Sequence, residues 1–229
     1  MVIHQMIYKA VAARVNWLCD GQEPVGSRRD SRPEYKQEGA GRGGDFMAEK
    51  FAVIDTETNW RNEVMSIGVV LAQDGVFEAT DEKYLIIQEA AEVGGMFSHA
   101  LTLRGQKPEK CKKPEAIQAL LSFLKTHHVR HVFAYNASFD ARCLPELHEF
   151  EWHDILKMAA YRQYNPAIPA DAKCCATGRL KSGYRVEDML VMFGEKGYCE
   201  MHNALTDAVD ELRIMKYLGI PVGRYFLEG

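Results

Sequence analysis

Three strand-like segments that lie close together in the chain constrain the fold more than any other feature of the sequence. Short apolar runs cover Phe51 to Asp55, Val64 to Ala72 and Val76 to Gln88. The connectors between them are short, and the triplet Gln73-Asp74-Gly75 is typical of a hairpin turn. Because short connectors join antiparallel strands, these three segments are predicted to be neighbours in an antiparallel sheet.

Strands and helices alternate in the rest of the chain. A helix is predicted over Pro114 to Thr126, with proline in its first turn and apolar residues on one face. A fourth strand, His131 to Tyr135, leads into a helix from about Ser138 to Phe150, and a fifth strand lies near Glu151 to Ile155. A closing helix runs from about Asn203 to Leu218. This order predicts an α/β fold, in which a five-stranded mixed sheet has three antiparallel strands, then two parallel ones, and is flanked by helices.

The composition excludes several classes of protein. A chain of 229 residues with 47% hydrophobic residues is long enough to bury the core of one domain. A formal net charge of -4 argues against an extended basic surface, so any contact with nucleic acid is expected to be local. No apolar run approaches the roughly 18 residues that cross a bilayer, and the cysteines form no CxxC pair. These features predict a cytoplasmic protein with reduced thiols and no membrane partner.

Residues 1–46 are predicted to be an extension of a domain that spans residues 47–229. The first 18 residues have apolar side chains near helical spacing, which permits a short amphipathic helix. Residues 19–46 are rich in glycine, proline and mixed charge, a composition typical of a flexible linker. The sequence leaves open whether this extension docks onto a replication or repair protein, is an unstructured tail, or precedes a true start at Met47.

Acidic side chains occur at three places beside predicted strands and helix starts. Asp55 and Glu57 lie at the end of the first strand, where a period of two places them on one face with Cα atoms roughly 7 Å apart. Asp140 lies in the first turn of the helix after the fourth strand, and Asp207 opens the closing helix. His202 is five residues before Asp207, so it must lie in the preceding loop to reach the same site. Each element alone has an ordinary explanation as a solubilising acid or a helix cap.

The order and positions of these elements together resemble one known arrangement. D-x-E on a first strand, N-x-x-x-D after a fourth strand and H-x-A-x-x-D at a late helix are similar to the motifs of the DEDDh (DnaQ-like) 3′ to 5′ exonucleases. That family includes the proofreading epsilon subunit of bacterial DNA polymerase III and has a ribonuclease H-like fold. The resemblance covers roughly residues 50–220. It implies that His202 is the catalytic base and that the metal ligands are Asp55, Glu57, Asp140 and Asp207.

The charge of this group explains why the implied site needs cations. Two carboxylates about 4 Å apart repel by roughly 4 kcal/mol at an effective dielectric of 20, so four of them would destabilise the fold without a cation. Oxygen ligands without thiolates favour Mg²⁺ or Mn²⁺. Two such ions would clamp a phosphate, and His202 would take the proton of the attacking water. The implied reaction releases nucleoside 5′-monophosphates from single-stranded DNA or RNA 3′ ends.

The resemblance also implies contacts to the terminal nucleotide. The positions are Thr58, Asn59, Met65, Asn136 and Phe139. The chain departs from many members of the family by having Tyr135 before the asparagine and Ser66 in the second strand, which affects packing around the nucleotide and not the metal ligands. A local basic patch is expected in one of two regions, formed by Arg104, Lys107, Lys110, Lys112 and Lys113 or by Arg179, Lys181 and Arg185.

Two other functions stay open on the sequence. The same site would serve an RNA-end-trimming or oligoribonucleotide exonuclease, because nothing in the motifs selects DNA. From another class, the domain could be a non-catalytic nucleic-acid-binding or polymerase-docking module. The presence of all five catalytic positions argues against that module, since loss of a carboxylate is the expected mark of an inactive nuclease.

Overall fold

A mixed sheet of six strands forms the centre of the fold in residues 49–227, the part of the chain that the computed structural model describes. The strands are β1 (Lys50–Thr58), β2 (Val64–Gln73), β3 (Asp81–Ile87), β4 (Glu109–Cys111), β5 (His131–Ala134) and β6 (Glu151–Asp154). Their order in the sheet is β4-β3-β2-β1-β5-β6. The helices are α1 (Gln88–Val93), α2 (Lys113–Thr126), α3 (Ser138–Cys143), α4 (Leu156–Ala159), α5 (Val186–Met192), α6 (Ala204–Leu218) and α7 (Val222–Tyr225).

Alternating side chains of β1 belong to two hydrophobic cores. Phe51 and Val53 face the core that includes the apolar side of α6. Ala52 and Ile54 face the opposite core, which includes the apolar side of α2. Because helices cover both faces of the sheet, nine of the ten residues of β2 are buried, and its largely apolar sequence shows no alternation.

A close approach between helix and sheet occurs at Gly68 of β2. A Cβ atom at this position would lie 2.1 Å from the carbonyl oxygen of Ala204, the first residue of α6. Gly68 is also the register partner of Asp55 in β1. The missing side chain of Gly68 therefore lets the start of α6 lie directly on β2, beside the strand that carries Asp55 and Glu57.

The sheet has six strands and not the predicted five. The additional strand, β4, lies between the third predicted strand and the helix predicted over Pro114 to Thr126, and it pairs in parallel with β3 at the edge of the sheet. A strand of three residues is too short to show a period in the sequence. The predicted core of the sheet is confirmed, since β1, β2 and β3 are antiparallel and β5 and β6 continue the sheet in parallel.

Two predicted boundaries were wrong. β3 begins at Asp81 and not at Val76, because the preceding residues form a turn in which Phe77 has a φ of 52°. The helix predicted over 138–150 ends at Cys143, and a 3₁₀ turn follows at Pro145–Leu147. Proline disfavours a helical conformation of the residue before it, and that residue has φ -123° and ψ 59°.

The predicted extension, residues 1–46, lies outside the described residues, so its helix, its linker and its docking role stay predictions. Within residues 49–227, no helix has both the length and the apolar character that a membrane span requires. None of the cysteines in the same range forms a disulfide.

Candidate active site

The end of β1 supplies two acidic side chains to the face of the sheet that α6 covers. Asp55 and Glu57 have the same parity in the strand as Val53, which belongs to the core beneath α6. The Oδ2 atom of Asp55 is buried, and Glu57 is half-buried. The two carboxylates therefore lie side by side, as the period of two predicts.

The third carboxylate comes from the turn that follows β5. Asn136 adopts a left-handed φ of 66°, and its backbone N–H donates to Asp154 Oδ1 at 2.9 Å. Asp140 is buried in the first turn of α3. The hydroxyl of Thr56 in β1 donates to Asp140 Oδ1 at 2.7 Å. This bond joins the third carboxylate to the strand that carries the first two.

The start of α6 supplies the fourth carboxylate and the histidine. Asn203 caps the helix, and its side-chain amide donates to the carbonyl of Ala100 at 2.7 Å. His202, immediately before the cap, has a φ of 53°, and its ring stacks on Phe97 with 3.8 Å between centroids. Asp207 follows in the first turn of the helix. Capping and stacking together fix where this segment meets the sheet.

These elements bring the five predicted residues to one place. The ligand atoms of Glu57, His202 and Asp207 all lie within 4.8 Å of one another. Burial raises the pKa of Asp55 well above its ordinary value, and neighbouring acids, Asp140 and Asp207 among them, raise it further. Side chains that are far apart in the sequence therefore share one electrostatic environment.

Without a cation, this site concentrates more negative charge than a protein interior tolerates. Burial raises the pKa of Glu57 to about 7, with Glu200 contributing. Burial also raises the pKa of Asp140 to about 7, although the hydrogen bond from Thr56 opposes the rise. For Asp207 the pKa rises to about 9, first through burial and then through Glu200 and Glu57. These carboxyl groups hold protons near neutral pH unless a cation replaces them.

The donor atoms of the site fit a divalent cation. Among residues 49–227, Asp55 Oδ2 and Asp207 Oδ1 are buried carboxylate oxygens without a hydrogen-bond partner. A buried anionic oxygen without a partner is costly, and a cation would supply one. The donors are carboxylate oxygens, with no thiolate among them, which suits hard cations such as Mg²⁺ or Mn²⁺.

Two acids that the sequence analysis did not single out belong to the same group. Glu211 is buried one turn after Asp207 on α6, and its Oε2 accepts the backbone N–H of Tyr135 at 3.0 Å. Glu200 lies just before His202, and burial raises its pKa to about 6. The i, i+4 spacing of Asp207 and Glu211 was a signal in the sequence that they share a helix face. Glu200 lies in an irregular segment and gave no such signal.

A cleft of about 550 Å³ opens beside the carboxylates. Asp55 and Glu211 line it together with the predicted contact residue Asn136, which is exposed. Arg179 and Arg185, from the second predicted basic region, line the same cleft, whereas Lys181 does not. Two positively charged arginine side chains thus lie along a cleft that leads to the acidic site.

A second cleft, of about 700 Å³, is lined by Phe139, the residue before Asp140. Phe139 is 37% exposed, so part of its ring is accessible. Arg61 and Arg142 also line this cleft, and neither was singled out in the sequence. From the first predicted basic region Lys113 lines it, and neither cleft is lined by Arg104, Lys107, Lys110 or Lys112.

The other predicted contact residues lie at the end of β1 and at the start of β2. Thr58 is half-buried. Asn59 is buried, and its side-chain amide donates to Glu63 Oε2 at 2.8 Å, which holds the turn between the two strands. Met65 is fully buried. The side chains of Asn59 and Met65 thus pack inside the protein in this structure, and a contact with substrate stays a prediction for both.

Comparison with known proteins found similar folds among solved structures only. No protein-family model and no curated protein sequence matches the chain. The nuclease domain of 3′hExo, a DEDDh family member bound to rAMP, has a TM-score of 0.52 and 16% identity over 75% of this chain and 92% of that chain. A 3′-exonuclease solved for 3′-end specific recognition of a histone mRNA stem-loop has a TM-score of 0.55 and 15% identity over 79% of this chain and 67% of that chain.

E. coli Exonuclease I in complex with a dT13 oligonucleotide has a TM-score of 0.54 and 14% identity over 79% of this chain and 42% of that chain. The chain therefore matches less than half of that protein. The more specific resemblance to the epsilon subunit of DNA polymerase III stays a prediction. This chain has the fold of the DEDDh-family 3′-exonucleases.

Proposed function

We propose that this chain is a metal-dependent 3′ to 5′ exonuclease that hydrolyses phosphodiester bonds at single-stranded 3′ ends. The observation that carries the proposal is the meeting of four acidic side chains from three separate elements, two of which keep a buried oxygen without a partner. Buried carboxylates without a partner cost stability, so their concentration at one place favours a functional explanation. The likeness in fold to solved 3′-exonucleases supports the same activity.

Two Mg²⁺ or Mn²⁺ ions would be held by the four carboxylates of Asp55, Glu57, Asp140 and Asp207. When bound, such a pair of ions supplies Lewis acidity to the scissile phosphate and lowers the pKa of the attacking water. Asp55 is the central member of the group, because the negative charges of the other three carboxylates all raise its pKa, in addition to burial. Loss of the Asp55 charge should therefore be especially damaging.

His202 would accept a proton from the attacking water. Its imidazole must be neutral to do so, and burial lowers the pKa of His202 against the opposing charge of Glu187. Stacking on Phe97 holds the ring beside Glu57 and Asp207. The site thus has a base that is neutral and oriented near pH 7.

The end of a single strand would occupy the clefts beside the carboxylates. Arg179 and Arg185 would contact phosphate oxygens in the first cleft. Phe139 offers a partly exposed aromatic face for a base at the second cleft. Phosphate contacts and stacking are independent of base identity, so the product would be any of the nucleoside 5′-monophosphates.

A second candidate function is the trimming of RNA ends. The similar folds include one protein bound to rAMP and one that recognises a histone mRNA stem-loop, besides one bound to an oligonucleotide of dT. The fold is thus compatible with either nucleic acid. Digestion of RNA and DNA strands of the same sequence would measure the preference as a ratio of kcat/KM values.

Digestion of a 5′-labelled single strand with and without Mg²⁺ tests the proposed activity. The parent chain is expected to shorten the strand from its 3′ end only when the ion is present. Asp55→Asn is expected to lose about 10³-fold in rate, equivalent to about 4 kcal/mol of barrier. The matched control is Asp171→Asn, since Asp171 is exposed and lines neither cleft. Equal rates for the two variants, or shortening without a divalent cation, would overturn the proposal.

A further inference from the structure

A second cluster of metal-ligating side chains lies at the amino-terminal end of the parallel strands. His131 is the first residue of β5, and it pairs in register with Glu151, the first residue of β6. His153 is two residues further along β6, so it shares a face of the sheet with Glu151. Asp140 follows the other end of β5, so the length of that strand separates this cluster from the carboxylate site.

The spacing of the ligand atoms in this cluster matches a metal ion. His131 Nδ1 is 3.0 Å from His153 Nε2 and 3.6 Å from Glu151 Oε2. All three ligand atoms lie within 4.8 Å of one another. Around a tetrahedral Zn²⁺ with Zn–N distances of about 2.0 to 2.1 Å, neighbouring ligand atoms lie about 3.3 Å apart. The two distances from His131 Nδ1 therefore bracket the separation expected between ligands of one zinc ion.

A carboxylate orients the first histidine from outside this triangle. Glu49 Oε1 lies 3.1 Å from His131 Nε2, the ring nitrogen that does not face the cluster. Metal-binding histidines commonly donate their other ring N–H to a carboxylate, which leaves a lone pair on the nitrogen that faces the metal. With the proton on Nε2, Nδ1 of His131 cannot donate to Glu151, whose Oε1 accepts from Arg130 Nη2 at 3.4 Å. Glu151 Oε2 and the lone pair on Nδ1 would therefore face each other without a cation between them.

Aromatic rings hold both imidazoles in place. Phe226 stacks on His131 with 4.1 Å between ring centroids and lies 4.6 Å from the ring of His153. Phe133 packs against His153 at 5.0 Å. Both histidines are buried, whereas Glu151 is exposed. The site is thus rigid on the imidazole side and open to water on the carboxylate side.

We propose that His131, Glu151 and His153 bind one Zn²⁺ ion that ties β5 to β6, with water at the fourth position. Two imidazoles and one carboxylate favour Zn²⁺ over Mg²⁺, which prefers oxygen ligands. The ion stabilises the fold at the end of the sheet opposite the carboxylates. This site is independent of the proposed nuclease activity.

Zinc content and thermal stability of the full chain test this site. The Asp207→Asn variant is used throughout, with excess Mg²⁺, because Asp207 belongs to the group Glu57, His202 and Asp207 that could otherwise hold zinc at the carboxylate site. After stripping with a chelator and titration with ZnCl₂, elemental analysis of the desalted protein is expected to find one zinc per chain. At a hundredfold excess over the dissociation constant, Zn²⁺ is expected to raise the unfolding midpoint by about 5 to 10 °C.

Three variants in the same background assign the ligands. His153→Gln is expected to abolish zinc retention. Glu151→Gln changes an exposed side chain, so this variant should fold even if the buried change His153→Gln prevents folding. Glu151→Gln is expected to weaken zinc binding by more than tenfold. Glu49→Gln is expected to weaken it about 10- to 100-fold. The control is His148→Gln, an exposed histidine outside the cluster, which is expected to leave zinc binding unchanged.

The competing explanation is that His131 and His153 share a hydrogen bond and bind no metal ion. In that case the chain retains no zinc after titration with ZnCl₂ and desalting, and Zn²⁺ does not shift the unfolding midpoint. Either result overturns the proposal, and so does an unchanged zinc affinity in Glu151→Gln. A visible absorption spectrum of tetrahedral type after titration with Co²⁺, lost in Glu151→Gln, would support it further.

Discussion

At the scale of single residues, the carboxylate site combines a base that the protein orients with acids that the protein alone does not stabilise. His202 has its ring fixed by Phe97 and its backbone in a left-handed conformation. Asp55 and Asp207, in contrast, keep buried oxygens without hydrogen bonds within the described residues. These two properties predict different effects of mutation.

Substitution of the base is expected to affect rate and not binding. His202→Asn is suited to the test, because asparagine adopts a positive φ more readily than most residues. The catalytic rate in single-turnover digestion is expected to fall by about 10² to 10⁴. Affinity for Mg²⁺ and for the labelled strand should stay within about threefold of the parent. A rate within twofold of the parent would contradict the role of His202.

Removal of the buried charge of Glu211 is expected to stabilise the protein in the absence of divalent cations. Glu211→Gln keeps an oxygen that can accept the backbone N–H of Tyr135, but it removes one buried negative charge. Urea unfolding at pH 8 is expected to show a higher free energy of unfolding for Glu211→Gln than for the parent, because burial raises the pKa of Glu211 and its ionised form therefore destabilises the folded state. Glu211→Leu should be less stable than Glu211→Gln by about 1 to 3 kcal/mol, since the N–H loses its acceptor. Equal stabilities of these two variants would argue against the bond.

At the scale of elements, the start of α6 decides where the site is assembled. Asn203 anchors this end to the 3₁₀ turn at Ser98–Ala100, and Gly68 lets it lie directly on β2. Both contacts place Asp207 and His202 against the acids of β1. The contact between α6 and β2, and not only the sequence motif, therefore determines the geometry of the site.

A single methyl group at this contact is expected to damage both stability and activity. Gly68→Ala would place a Cβ 2.1 Å from the Ala204 carbonyl oxygen, so α6 must move away from the sheet. Overpacking of this kind costs about 1 to 3 kcal/mol, or more where backbone must shift. Gly223→Ala is the matched control, because a Cβ there meets nothing within 4 Å. Thermal midpoints and digestion rates of the two variants measure the effect, and equal values would refute it.

At the scale of the whole molecule, the stability of the fold is coupled to protons and to divalent cations. Glu57 and Asp140 have ordinary pKa values of 4.5 and 3.8 but titrate at about 7 in the folded chain. Between these values the folded state binds more protons than the unfolded state. The free energy of unfolding therefore falls as pH rises through this interval.

The metal-free chain is accordingly expected to be more stable near pH 5 than near pH 8. Addition of Mg²⁺ should oppose this loss, and its effect should be larger at pH 8, because the ion binds deprotonated carboxylates. Thermal midpoints at pH 5, 6.5 and 8, with EDTA or with Mg²⁺, measure both effects. Asp55→Asn should show a weaker pH dependence and a smaller response to Mg²⁺. Stability that rises with pH in EDTA would show that the carboxylates are not held in one buried group.

The sequence by itself determined the order of the central strands and the positions of the acidic motifs. Both are local properties, since a strand shows its period over a few residues and Asp55 and Glu57 share a face through that period alone. The two ends of α6 were equally readable, because the cap residues Asn203 and Gly219 act on the nearest turns. The likeness to the DEDDh motifs then predicted which of these residues belong together.

Only the tertiary structure decided which side chains meet across long sequence separations. The edge strand β4 forms because β3 offers a free side, and Glu211 belongs to the site because α6 crosses β1 and β2. Met65 lies in the core, although its sequence position would also suit a substrate contact. The contact between His131 and His153 follows from the parallel register of β5 and β6. Such contacts depend on how elements pack, and no local pattern in the chain records that packing.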